Sequence, residues 1–191
     1  MIHDQFEEID ATIIESLVEN RLSESTTVEF KATLPDRSDR GIVEFLKDAC
    51  AMANSGGGDI VYGVRELDGV ADSLQPIEDE TEDKALLRLG QMLDSGIEPR
   101  IAGARFLPIK TGNGYVLVLR VPQSFAGPHR VNRNGMHRFP LRNERHVSDM
   151  SYDQLRTAFD RTSSLAVAAR EFRRERLSIR SRQDGEAAGR G

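Results

Sequence analysis

ESTTVEFKATLPDRSDRGIVEFLKDACAMANSGGGDIVYGV, residues 24–64, changes its hydrophobic period twice. In TTVEFKATL the period is two: Val28, Phe30 and Ala32 share one face, and Thr27, Glu29 and Lys31 share the other. That alternation predicts a half-buried strand whose polar face is turned outward or into a cleft. Ile42, Phe45, Leu46, Ala49 and Ala53 then recur at helical spacing, with Ser38 or Asp39 placed to cap the first turn. Asn54 and the glycines Gly56, Gly57 and Gly58 stop the helix, because glycine accepts the positive φ of a tight exit. DIVYGV follows as a short apolar strand.

Outward from this stretch, Phe6, Ile9, Ile13, Ile14, Leu17 and Leu22 predict one or two amphipathic helices in front of it. Behind it, Asp68-Gly69 signals a hairpin and the acidic run 76–83 leads into a helix carrying Leu86, Leu89 and Leu93 that ends before Pro99. Strands are expected over about 101–108 and 114–121, and GYVLVLRVP, apolar on both faces, reads as the central one. Asn134-Gly135 marks a further hairpin, with Pro140 holding its strand to an edge. Ser151 with Gln154 forms a capping box that opens the last helix. The expected class is α+β, a mixed or antiparallel sheet flanked by helices. It covers residues 1–160, followed by a basic helix over 161–180 and a disordered tail over 181–191.

With 38% hydrophobic and 30% charged residues the chain suits a globular domain with a real core. No apolar run approaches the roughly 20 residues that cross a bilayer, and the acidic N-terminus is unlike a signal peptide, so the expected location is cytoplasmic, away from membranes. The single cysteine, Cys50, reads as filler on a helix face. The net charge of −5 hides an asymmetry: residues 1–24 and 66–83 are acidic, whereas Arg130, Arg133, Arg138, Arg142 and Arg145 fall close together with His129, His137 and His146. Such a sector either attracts phosphate or is a solvated face. Arg138 and Arg142 are the favoured phosphate contacts because a guanidinium donates two parallel hydrogen bonds, and Lys31 joins the candidates. Aromatic residues are few and expected mostly in the core, which argues for backbone-directed binding of DNA or RNA rather than base stacking.

One ordered set of motifs is specific. Glu24, then Glu29-Phe30-Lys31, Ala53-Asn54, Gly57-Gly58 and Gly63-Val64, followed by VLVLRVPQSFAGPHRV and GMHRFPLRNERHVSDMSYDQL, resembles the Schlafen AlbA-type domain over residues 22–160. The resemblance implies nucleic-acid binding, in a regulatory or defence setting. Its alternative implication is a metal-dependent ribonuclease in which Glu24, Glu29 and Glu66 hold Mg²⁺ or Mn²⁺ through hard oxygen ligands. This chain carries Glu66 where the nuclease members carry aspartate, one methylene longer at a site that tolerates little error. Many relatives carry an ATPase-like domain, but no Walker motif occurs here. A third reading is an interaction module: Leu165, Ala169, Phe172 and Leu177 form an apolar strip on the last helix, and a one-lobe chain is expected to pair as a homodimer.

Overall fold

The computed structural model describes residues 1–3, 5–143, 146–164, 167 and 170–173. A 3-10 turn, Phe6–Glu8, leads into α1 (Ala11–Glu19), whose first turn is capped by Asp10 through the Ile13 amide at 2.9 Å. The quoted stretch becomes β1 (Val28–Lys31), α2 (Asp39–Asn54) and β2 (Gly57–Tyr62). Ser38 is the cap, its hydroxyl accepting the Gly41 amide at 3.1 Å. Two hairpin strands follow, β3 (Val64–Leu67) and β4 (Val70–Leu74), turning at Asp68 and Gly69 with φ of 55° and 75° as a primed turn requires. Then come α3 (Glu82–Gly96), β5 (Ile97–Glu98), β6 (Arg105–Thr111) and β7 (Gly114–Pro122). The basic sector forms β8 (Arg130–Arg133), β9 (Met136–Arg138), β10 (Pro140–Asn143) and β11 (His146–Asp149). A last helix, α4, runs over 152–164, opened by the reciprocal bonds of Ser151 and Gln154 at 2.8 and 3.3 Å.

The main sheet has the order β1-β2-β7-β6, with β1 parallel to β2 and the other pairs antiparallel, so the fold is α+β with a mixed sheet. Alternation along β7 divides the core. Tyr115, Leu117, Leu119 and Val121 pack toward α2 and α3, while Val116 and Val118 pack toward α1 and the N-terminal turn. β1 differs from its expected half-buried state: Val28, Glu29 and Phe30 are all buried, because α2 covers the face that carries Glu29. The strand expected over 101–108 begins instead at Arg105, since residues 102–103 form a turn, and the two-residue strand β5 has no counterpart in the sequence reading.

Two of the three glycines after α2 are sterically required. A Cβ on Gly57, at φ 74°, would lie 2.5 Å from the Gln123 nitrogen, and one on Gly58 would lie 2.7 Å from the Thr27 carbonyl oxygen. They let β2 slide between its two neighbours without a side chain in the way. Leu165, Ala169 and Leu177 of the expected apolar strip, and the tail over 181–191, lie outside the described residues. Among the described residues no helix is long and apolar enough to cross a membrane.

Candidate functional site

Glu24 precedes β1 in a tight turn closed by the Ser25 amide on the Val28 carbonyl at 3.0 Å. Its Oε1 accepts the Phe30 amide at 2.9 Å. β1 is an outer strand, so this carboxylate stands where the carbonyl of a further strand would be. Burial lifts the Glu24 carboxyl above its ordinary pKa against the opposing Phe30 bond, and the charges of Glu29 and Glu66 add to the rise.

Glu29 points the other way, under α2. Lys31 Nζ lies 2.5 Å from its Oε1 and 3.2 Å from Asp48 Oδ2, and Arg142, arriving from β10, donates to Glu29 Oε2. Arg142 Nε also donates to the Ser25 carbonyl at 3.2 Å, and only 2% of its side chain is exposed. The result is a cluster of two acids and two bases. Burial alone would raise Glu29, but Lys31 and Arg142 outweigh it and hold the carboxyl below its usual range. Burial and then the Glu29 charge push Asp48 up to about 6 against the pull of Lys31. Burial alone would lower Lys31, yet Asp48 and Glu29 reverse this and keep it charged. Asp48 is absent from the residues singled out by sequence, although a carboxylate between Phe45 and Ala49 on the inward face of a helix is a legible signal.

Glu66 takes no part in that cluster. It is exposed on β3 and accepts the Gly69 amide of its own hairpin. Among the described residues no three histidine, cysteine, aspartate or glutamate side chains come together to hold a metal ion. Both Glu29 oxygens are engaged by cations, so a divalent ion there would have to displace Lys31 or Arg142. Glu24, Glu29 and Glu66 as arranged do not fit Mg²⁺ or Mn²⁺ as one ligand set.

The arginine row divides. Arg130 pairs with Glu98 at 2.7 Å, Arg133 with Asp39 at 3.1 Å, and Arg138 with Asp149 at 2.8 Å, all at the surface. The register Val131↔Arg138 and Arg133↔Met136 puts Arg133 and Arg138 on one face of the hairpin, with Arg130 and His137 on the other. Arg142 departs from its expected role, since a phosphate reaches this guanidinium only by breaking the buried pair with Glu29. Arg145 lies outside the described residues. His129 is no surface group either: it is wholly buried, its Nδ1 lies 2.6 Å from the Pro99 carbonyl oxygen, and burial holds its pKa below the ordinary value. Most aromatic residues lie inside, as expected, with Phe6, Phe30, Phe45, Tyr62 and Tyr115 buried, but Phe125, Tyr152, Phe159 and Phe172 are more than half exposed, at 59%, 79%, 52% and 63%.

Asn54, read from sequence as a helix stop and as part of the motif set, fastens the basic sector to the body. Its Nδ2 donates to the His129 carbonyl at 2.8 Å and the Pro140 carbonyl at 2.9 Å, and its Oδ1 accepts the His129 amide at 2.7 Å. Next to it Ser55 Oγ accepts the Arg142 amide at 3.0 Å.

A family model described as Schlafen, AlbA_2 matches residues 24–151. Among solved structures the chain is similar to the DIP2311 protein from Corynebacterium diphtheriae. That likeness has 15% identity and a TM-score of 0.47, and it covers 72% of this chain but only 25% of that one. The chain is also similar to the N-terminal domain of a Nitrosomonas europaea protein named for its relation to the ATP-dependent DNA helicase RecG. Here the identity is 20% and the TM-score 0.50, over 72% of this chain and 90% of that domain. No curated protein matches.

Proposed function

This chain belongs to the Schlafen AlbA_2 family, and from that premise we propose that it binds nucleic acid through the phosphate backbone, with Arg130, Arg133 and Arg138 as contacts. The observation that supports this reading is the placement of these three arginines. Each sits at the surface in a single ion pair with a carboxylate that a phosphate can replace. Exposed pairs of this kind are worth about 0–1 kcal/mol, so exchanging partners costs little. A phosphate accepts the same forked pair of hydrogen bonds that a carboxylate does. Lys31, held between Glu29 and Asp48, is assigned to the internal cluster instead.

The test is fluorescence anisotropy of labelled RNA and duplex DNA across a salt series. Arg130→Ala, Arg133→Ala and Arg138→Ala, combined, are expected to weaken binding of every sequence alike. The slope of log affinity against log salt should shrink by about 0.9 for each duplex phosphate that no longer meets an arginine. No binding by the wild type at low salt, or an unchanged slope in the triple variant, overturns the reading. Manganese-dependent cutting of the RNA, abolished in Glu24→Gln at unchanged melting temperature, would replace it with cleavage.

A further inference from the structure

The four exposed aromatic side chains, Phe125, Tyr152, Phe159 and Phe172, are neighbours of the arginines in sequence. The chain from Phe125 to Arg173 holds nine arginines against five acids in a protein whose net charge is −5. Two of the rings stand on α4. Leu155, Ala158 and Thr162 are its half-buried positions and face the body, with Thr162 Oγ1 donating to the Gly127 carbonyl at 2.5 Å. Tyr152, Arg156 and Phe159, spaced i, i+4 and i+7, are exposed and share one flank of the helix, about a quarter turn from that row. Arg156 forms no ion pair among the described residues, and Asp153 and Asp160 flank the row.

Phe159 is supported from behind by an edge-to-face contact with Phe139, ring centroids 6.3 Å apart. Phe139 immediately follows Arg138 in the chain, so this ring packs on the residue next to one of the proposed phosphate contacts. Phe125 stands two residues before Gly127, hence near the far end of the same helix. Leaving such rings in water is unfavourable, and exposed aromatics interleaved with arginine form a surface on which bases stack while a guanidinium meets the phosphate between them.

We propose that the exposed Tyr152–Arg156–Phe159 flank of α4 is a stacking platform for the unpaired bases of single-stranded nucleic acid, with Tyr152 and Phe159 as the stacking rings and Arg156 on the phosphate between them. The charge of the sector selects a polyanion over an apolar protein partner, and exposed rings select unpaired bases over a duplex, whose bases are already stacked. This inference rests on the nucleic-acid reading above and adds to it the form of the ligand.

The test compares a labelled single strand of about 12 nucleotides, within the roughly 4–16 that a small single-strand site covers, with a duplex of the same sequence. Tyr152→Ala and Phe159→Ala are each expected to weaken single-strand binding by roughly tenfold while leaving duplex binding unchanged. Tyr152→Phe, which keeps the ring, should bind the strand like the wild type. Arg156→Ala should weaken the strand and flatten its salt dependence. If the alanine variants bind the strand like the wild type, or change the oligomeric state measured by light scattering instead, the stacking platform is overturned while backbone binding stands. If the wild type binds neither probe, both readings fall together.

Discussion

Glu29 and Arg142 behave as one unit. The Arg142 guanidinium, with 2% of its side chain exposed, has its buried charge compensated by Glu29, while its Nε donates to the Ser25 carbonyl. Glu29→Gln leaves that charge without a counter-ion and is expected to cost roughly 3–5 kcal/mol, read as a lower urea midpoint. Glu29→Gln with Arg142→Met should cost less than Glu29→Gln alone, since nothing charged is then stranded. Asp48 works in the opposite sense. Its carboxyl is pushed up to about 6 in the fold, so between about pH 4 and 6 the folded protein holds a proton that the unfolded chain has released. From this group, stability falls as pH rises through that window and levels off above it. Asp48→Asn should remove that fall, on the order of 1–3 kcal/mol, from melting curves recorded at about pH 4.5 and 7. None of this coupling is legible in the sequence, where Glu29 and Arg142 stand 113 positions apart.

Among the elements, β1, α2, β2 and β7 are legible, because each has one strong period and its own stop signal, such as Ser38 or the glycines at 57 and 58. The attachment of β8 and β10 is not. Both strands are positioned by the Asn54 amide, far away in the chain, rather than by a wide apolar face. Asn54→Ala strands two carbonyls and one amide, with an expected loss of about 3 kcal/mol or more. It should also lower nucleic-acid affinity beyond what the reduced stability alone explains, because the arginine hairpins are deprived of their common anchor. Melting temperature and anisotropy on the same preparation separate the two effects. The four exposed aromatics are exceptions to the expected burial for a related reason. Composition shows how many rings there are, but only the one-sided packing of α4 on Leu155, Ala158 and Thr162 leaves Tyr152 and Phe159 exposed on its flank.

At the scale of the whole molecule, the acidic stretches 1–24 and 66–83 and the arginine-rich stretch 130–145 make a charge asymmetry of the kind that steers a charged partner before any contact forms. Both outer strands of the main sheet are blunted. Glu24 takes the outward Phe30 amide of β1, and Pro108, in the middle of β6, offers no amide to a further strand. Copies of this chain therefore gain little by continuing the main sheet. The bonds that close the structure span 75, 86 and 113 residues. A chain made from its N-terminus completes β1, α2, β2 and β7 while Glu29 and Asp48 have only Lys31 for company. The arrival of β10 neutralises that surplus and satisfies Asn54 in the same step. The sector that carries Arg130, Arg133 and Arg138 is thus fastened late in synthesis, and a body that has not formed its anchor cannot display it.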